Sequence, residues 1–151
     1  MGYNLKAFIG QVERLEPVTT RFKNAKLIPL TEQIALIPMT DDLFNEINDY
    51  RVNNNIDGYE YLTTDIESEI IETINIGLIA YIEVEYFGGT GVQNGILWKN
   101  KKRIFEHSGT KAVVNSILQQ FGITRSKSRD EFETVGLNRH RYTEDWLEGV
   151  N

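Results

Sequence analysis

Apolar and polar residues alternate most regularly between Leu78 and Phe87. Leu78, Ala80, Ile82, Val84 and Tyr86 occupy one parity, and Ile79, Tyr81, Glu83, Glu85 and Phe87 the other. A period of two predicts a strand, with the first set on a helix-covered core and the half-polar second set on a wetter face. Gly88-Gly89-Thr90-Gly91 then reverses the chain, because glycine takes the positive φ that a tight turn demands. Val92 to Lys99 returns with Ile96 and Trp98 on its core parity, and Asn100-Lys101 turns into Arg103–His107. The pattern predicts a β-meander around residues 78–107.

Helical spacing appears on both sides of it. Thr40 can cap a helix whose first turn carries Asp41 and Asp42, where the helix dipole favours acids. Leu43, Phe44, Ile47 and Tyr50 would be its apolar face, and Asn53-Asn54-Asn55 its end. A second acidic helix runs from Thr64 to about Ile74, with Ile66, Ile70, Ile71 and Ile74 as its buried stripe. Ser108-Gly109-Thr110 starts a third, with Val113, Val114, Ile117, Leu118 and Phe121 inward and Gly122 as its C′ residue.

Near the N-terminus, Leu5–Gly10 reads as a strand, and Glu16-Pro17 as the start of a helix bearing Leu15, Val18 and Phe22. Glu32–Pro38 reads as a buried strand stopped by proline. From Thr124 the chain turns polar, with a loop over Ser126–Asp130 and a short helix over Tyr142–Leu147. Neither repeats nor linkers interrupt it. The expected fold is one α+β domain, a central antiparallel sheet flanked by helices, with a loosely ordered tail from about residue 124.

Composition adds few constraints. At 151 residues the chain can bury a full core without staples, and it has no cysteine, which fits a reducing cytosol. No basic start leads into an apolar run, and Lys6 spoils a myristoylation signal. No stretch approaches the roughly 20 apolar residues of a membrane span. The expectation is a cytoplasmic protein without membrane partners.

Charge changes the picture more. The net charge of −6 conceals a division: twelve acidic residues against Arg51 alone between Thr40 and Tyr86, then ten basic against four acidic between Lys99 and Arg141. Such asymmetry bears on partners and association rates.

Candidate chemistry is sparse. Gly89-Thr90-Gly91-Val92-Gln93-Asn94-Gly95 has its last glycine one place late for a dinucleotide loop and leads into a strand, so a structural hairpin is expected. Glu83 and Glu85, at i and i+2, would project from one face about 6 to 7 Å apart. Such a pair can serve acid–base catalysis, partner binding, or simply a solvated sheet face. His107 and His140 lack any zinc-site spacing, and no cofactor or metal is expected. Lys99, Lys101, Lys102 and Arg103, with Arg125, Lys127, Arg129, Arg139 and Arg141, could contact phosphates. A sequence pI of about 5.0 argues against nucleic acid and for solubility charges and partners to the acidic helices.

The segment Ile79-Ala80-Tyr81-Ile82-Glu83-Val84-Glu85-Tyr86-Phe87-Gly88-Gly89-Thr90-Gly91, with Ile96-Leu97-Trp98, resembles a motif of small bacterial immunity proteins of polymorphic-toxin and contact-dependent-inhibition systems. The resemblance covers about the central third of the chain. It implies a non-enzymatic protein that binds a cognate toxin domain and occludes its active site; it assigns no residues. A nuclease-like toxin is basic around its site, so an acidic inhibitor would be steered to it.

The candidate contacts are then Asp41, Asp42, Glu46 and Asp49 on the first acidic helix and Glu67, Glu69 and Glu72 on the second. Tyr81, Glu83, Glu85 and Phe87 form an alternative sheet-face epitope with aromatic anchors. Two other classes stay open: a small enzyme using Glu83 and Glu85, or a phage-type assembly protein.

Overall fold

The computed structural model describes residues 2–51, 54–87, 90–109 and 113–148. Its sheet has six strands, all paired antiparallel, in the order β2-β3-β1-β4-β5-β6. They are β1 (Tyr3–Gln11), β2 (Ile28–Pro29), β3 (Ile34–Pro38), β4 (Leu78–Phe87), β5 (Thr90–Lys99) and β6 (Lys102–Gly109). The helices are α1 (Val12–Arg21), α2 (Asp41–Ile47), α3 (Thr64–Ile74), α4 (Val113–Gln120) and α5 (Glu131–Val135), with 3₁₀ turns at Leu137–Arg139 and Thr143–Leu147. The expected α+β class and the central meander are present. The turn residues Gly88 and Gly89 lie outside the described residues, as do Asn53 and Thr110.

The sheet is covered on both faces. On one, Phe8, Ile79, Tyr81, Ile96 and Trp98 pack against Leu15 and Val18 of α1, Leu43 of α2 and Ile66 and Ile70 of α3. On the other, Leu5, Ile9, Ala80, Ile82 and Leu97 pack against Val114, Ile117 and Leu118 of α4, Val135 of α5 and Trp146. The second parity of β4 is therefore not a wet face along its length, as the alternation implied. Ile79, Tyr81 and Glu83 are buried, and exposure begins at Glu85. Glu83 misled the reading because a lone glutamate in a strand normally marks solvent, and here it marks a buried hydrogen-bonded group.

Local chemistry sets the helix ends. Thr40 accepts from the Leu43 N–H, Thr63 from Ile66 and Asp130 from Glu133, each a side-chain N-cap. Helix α2 ends at Ile47, earlier than its apolar spacing suggested. Buried Asn48 donates through Nδ2 to the Phe44 carbonyl and accepts from the Thr63 hydroxyl at 2.6 Å, holding the end of α2 to the start of α3. Asp49 and Tyr50 then take left-handed φ of 54° and 58°, and Tyr50 points outward. Helix α1 starts at Val12, five residues before Pro17. The proline stands on an exposed position, where its missing N–H costs only the donor to Glu13. Gly122, at φ 85°, closes α4: its N–H donates to Gln119 and that of Ile123 to Leu118, the paired bonds of a Schellman motif.

The segment after 124 is packed, where a loose tail was expected. β3 stops at Pro38, leaving one edge of Tyr3–Lys6 without a strand. The tail fills it: the Asn4 N–H donates to Arg141, the Lys6 N–H to Thr143 Oγ1, and Tyr142 bridges Asn4 in parallel. Tyr3 donates to the Leu137 carbonyl, and Arg139 to that of Leu30. Helix α5 and strand β2 went unread because each is shorter than the window in which a period can be recognised.

Helix α4 crosses β5 at Gly95, where a Cβ would overlap Ile117 Cδ1 and lie 3.1 Å from Val113 Cγ1. Overpacking a core of this kind costs about 1–3 kcal/mol. Gly95→Val should therefore lower unfolding free energy by about 2 kcal/mol in urea denaturation. A variant as stable as the wild type would show that α4 does not need the close approach.

Candidate functional site

The register of the three central strands lines up a row of polar residues on the α1–α3 face. Lys6 of β1 is opposite Glu83 of β4, and Glu83 is opposite Asn94 of β5. One step outward, Asn4, Glu85 and Val92 form a second row. Directly opposed residues in antiparallel strands share a face with Cβ atoms about 5 Å apart. The helices do not reach these rows. The loop before α3 does, anchored by buried Ile56, Tyr59 and Leu62. Between that loop and the free end of the β4–β5 hairpin lies a cleft of about 420 Å³, lined by Lys6, Gly58, Glu60, Glu83, Glu85, Phe87, Val92 and Asn94 among others.

Glu83 holds the loop in place. Its Oε1 accepts from the Glu60 N–H at 2.8 Å, and its Oε2 from the Tyr61 N–H and the Tyr81 hydroxyl, both at 2.8 Å. Burial raises its pKa above the usual glutamate value, and the three donors with nearby Lys6 only partly offset that rise. Tyr81, fully buried beside it, is pushed well above the usual phenol value by the same burial and by the Glu83 charge. Asn94 is the other fixed group. Its Nδ2 donates to the Gly58 carbonyl at 2.7 Å, which settles the amide orientation, and its buried Oδ1 has no donor among the described residues.

Lys6 closes the far side, its ammonium 2.8 Å from Asn4 Oδ1 and 5.1 Å from the centre of the Tyr61 ring. Phe87 and Val92 are exposed at the mouth, Phe87 at 77%.

The remaining sequence candidates scatter. Asp41 accepts from the Tyr61 hydroxyl, whose pKa rises to about 12 mainly through that bond. Glu46 accepts from the Lys23 and Asn24 N–H groups, both at 2.9 Å, capping the chain that leaves α1. Asp49 pairs with Arg51, and Asp42 lines a shallow depression with Thr40, Lys26 and Glu144. On α3, Glu69 pairs with Arg21, Glu72 with Lys101, and Glu67 with Arg103 and the Trp98 Nε1–H. Burial would raise the Glu67 pKa, but the bonds from Arg103 and Trp98 outweigh it and hold it below the usual value. The Lys101–Glu72 and Arg103–Glu67 pairs are the expected match between the basic run and an acidic helix; Arg21 and Arg51 lie outside that run. Tyr81 and Phe87, read as twin anchors, are separated: only Phe87 reaches solvent.

Sequence reasoning missed Lys6, Glu60 and Asn94. Asn94 carried a signal, a polar side chain on the parity of Ile96 and Trp98. Glu60 had none, since only the docking of its loop brings it here. His107 lies in a separate depression with Tyr59, Arg103 and Glu106. Among the described residues no three His, Asp or Glu side chains are grouped to hold a metal ion, and no helix is long and apolar enough to cross a membrane. The fold and cleft define an α+β protein whose antiparallel sheet, covered on both faces, opens to solvent at one hairpin end. No family model, curated protein or solved structure matches this chain.

Replacing Glu83 by Gln should orphan one of the two loop N–H groups, that of Glu60 or that of Tyr61, and cost about 1–3 kcal/mol. The pH dependence has a definite sign. A carboxyl whose pKa is raised on folding binds more protons in the native state, so its contribution to stability falls as pH climbs from the usual glutamate value through the raised one. Urea denaturation of wild type and Glu83→Gln across pH 4 to 8 should show their difference shrinking as pH rises, then levelling. A constant difference would mean that Glu83 titrates as an ordinary glutamate.

Proposed function

We propose that this chain is a binding protein that neutralises a cognate basic toxin domain by covering its active site, and that it makes contact through the hairpin end of its sheet. The observation that carries the reading is the open cleft with Glu60 and Glu85 on its walls and Phe87 and Val92 at its mouth. An exposed aromatic such as Phe87 is an anchor that a partner can bury as a hot spot. The resemblance of the same strand pair to immunity proteins supplies the toxin.

The helix faces support it less. The glutamates of α3 already have cations beside them, which dilutes the field that the acidic stretch projects. Each exposed pair is worth at most about 1 kcal/mol, so a partner could displace it, but with little net gain. Binding is favoured over acid–base chemistry because Glu83 is committed to three donors, leaving Glu85 without a second available carboxylate on its strand.

The test is to co-express the chain with the product of the adjacent reading frame, which on this reading encodes the toxin domain. The wild type should restore growth and co-purify with the toxin. Glu85→Lys and Phe87→Ala should each weaken binding by about 10- to 100-fold, within the range of hot-spot residues. Association of the wild type should slow as salt rises, as for steered encounters. Wild-type affinity in both variants, or a complex that never forms, would refute the reading.

A further inference from the structure

The cleft is a surface of acceptors with few donors to fill them. Asn94 is one of its lining residues, and the buried Asn94 Oδ1 has no donor among the described residues. The amide cannot turn over to relieve this, because its Nδ2 is needed by the Gly58 carbonyl. A buried acceptor left without a donor is costly, and a ligand that supplies one recovers that cost. Around it stand the carboxylates of Glu60 and Glu85, with Glu83 already filled by its three donors, against the ammonium of Lys6, which is engaged with Asn4 and the Tyr61 ring.

We infer that this cleft is a receptor for a guanidinium group, filled in the working complex by an arginine side chain of the bound protein. The inference rests on the binding role proposed above. Three features select arginine. The acceptors line different parts of the cleft and do not converge as metal ligands, which disfavours a compact ion and suits a planar fork with five donors. One edge of the fork would donate to Asn94 Oδ1 and another to the Glu85 carboxylate, a charge-assisted bond. Phe87 and Val92, both exposed at the mouth, would cover the aliphatic stem. A lysine could satisfy only part of this set, because its ammonium is one strongly hydrated point charge.

The experiment needs no toxin. ¹⁵N-labelled full-length protein is titrated with methylguanidinium, N-acetyl-argininamide, N-acetyl-lysinamide and tetramethylammonium, all as chlorides, and amide and side-chain NH₂ shifts are followed. Saturable shifts are expected at Glu60, Tyr61, Val92 and the Asn94 side-chain NH₂. The arginine probe should bind at least about 3-fold tighter than the lysine probe, and tetramethylammonium should not saturate. Glu85→Gln should weaken the arginine probe by about 3- to 10-fold, and so should Asn94→Ala if its thermal unfolding shows it folded. If Asn94→Ala does not fold, Glu85→Gln on its exposed site still decides.

Shifts that never saturate, equal response to the lysine and arginine probes, or full affinity in Glu85→Gln would each overturn the inference. The two readings fail separately. Guanidinium binding without any protection from toxin would keep the receptor and remove the proposed function. Toxin binding indifferent to Glu85→Gln, with no guanidinium response, would do the reverse.

Discussion

The buried carboxylate of Glu83 is the interaction on which the shape of the molecule's open end depends. A charged carboxylate away from water is costly unless its lone pairs are filled. Here the Glu60 and Tyr61 N–H groups and the Tyr81 hydroxyl fill them. Two of those donors are backbone groups of the loop before α3, so satisfying Glu83 and docking the loop are one event. The docked loop brings Gly58 to Asn94 and Glu60 to the cleft wall. Without it the polar row Lys6–Glu83–Asn94 would be bare sheet surface.

The rest of the sheet is built to let that one end stay open. Both faces are covered elsewhere, so the apolar alternation of β1, β3, β4 and β5 is spent on two cores. The second core depends on the tail, which completes the edge of β1 that β3 leaves unpaired and carries Trp146 into the interior. Chain ends and hairpin thus lock each other: Asn4 and Lys6 are held by tail residues on one side and pair with Glu85 and Glu83 on the other. A disturbance at Thr143 would therefore be felt at the cleft, through β1, without any change in the cleft's own residues.

Much of this was legible in the sequence, and the limits have physical causes. The period of two over residues 78–87, the N-cap at Thr40 and the glycine after α4 are local signals, and each marks its element within a residue or two. What failed to show was whatever depends on a distant partner. Asn48 ends α2 because Thr63 is there to bind it, not because the apolar spacing stops. Glu83 looks like a surface residue because the two backbone groups that bind it lie more than twenty positions away. The candidate contacts divided the same way: Glu85 and Phe87 were read correctly as exposed on one face, whereas Tyr81 and Glu83, on the same parity, lie beneath the loop.

The acidic stretch makes the point about charge. Counted along the chain, residues 40–86 are a nearly unbroken anion. In space β6 lays Arg103 beside Glu67, the β5–β6 turn brings Lys101 to Glu72, and α1 brings Arg21 to Glu69. Folding converts a sequence-level block into local pairs, and the field that survives comes from acids without such neighbours. At the cleft, three carboxylates face one ammonium, one carboxylate is filled by two backbone donors and a phenol, and a buried amide oxygen has no donor among the described residues. In the proposed complex, total charge would set how fast a basic partner arrives, and the acceptors at the hairpin end would set which side chain it presents.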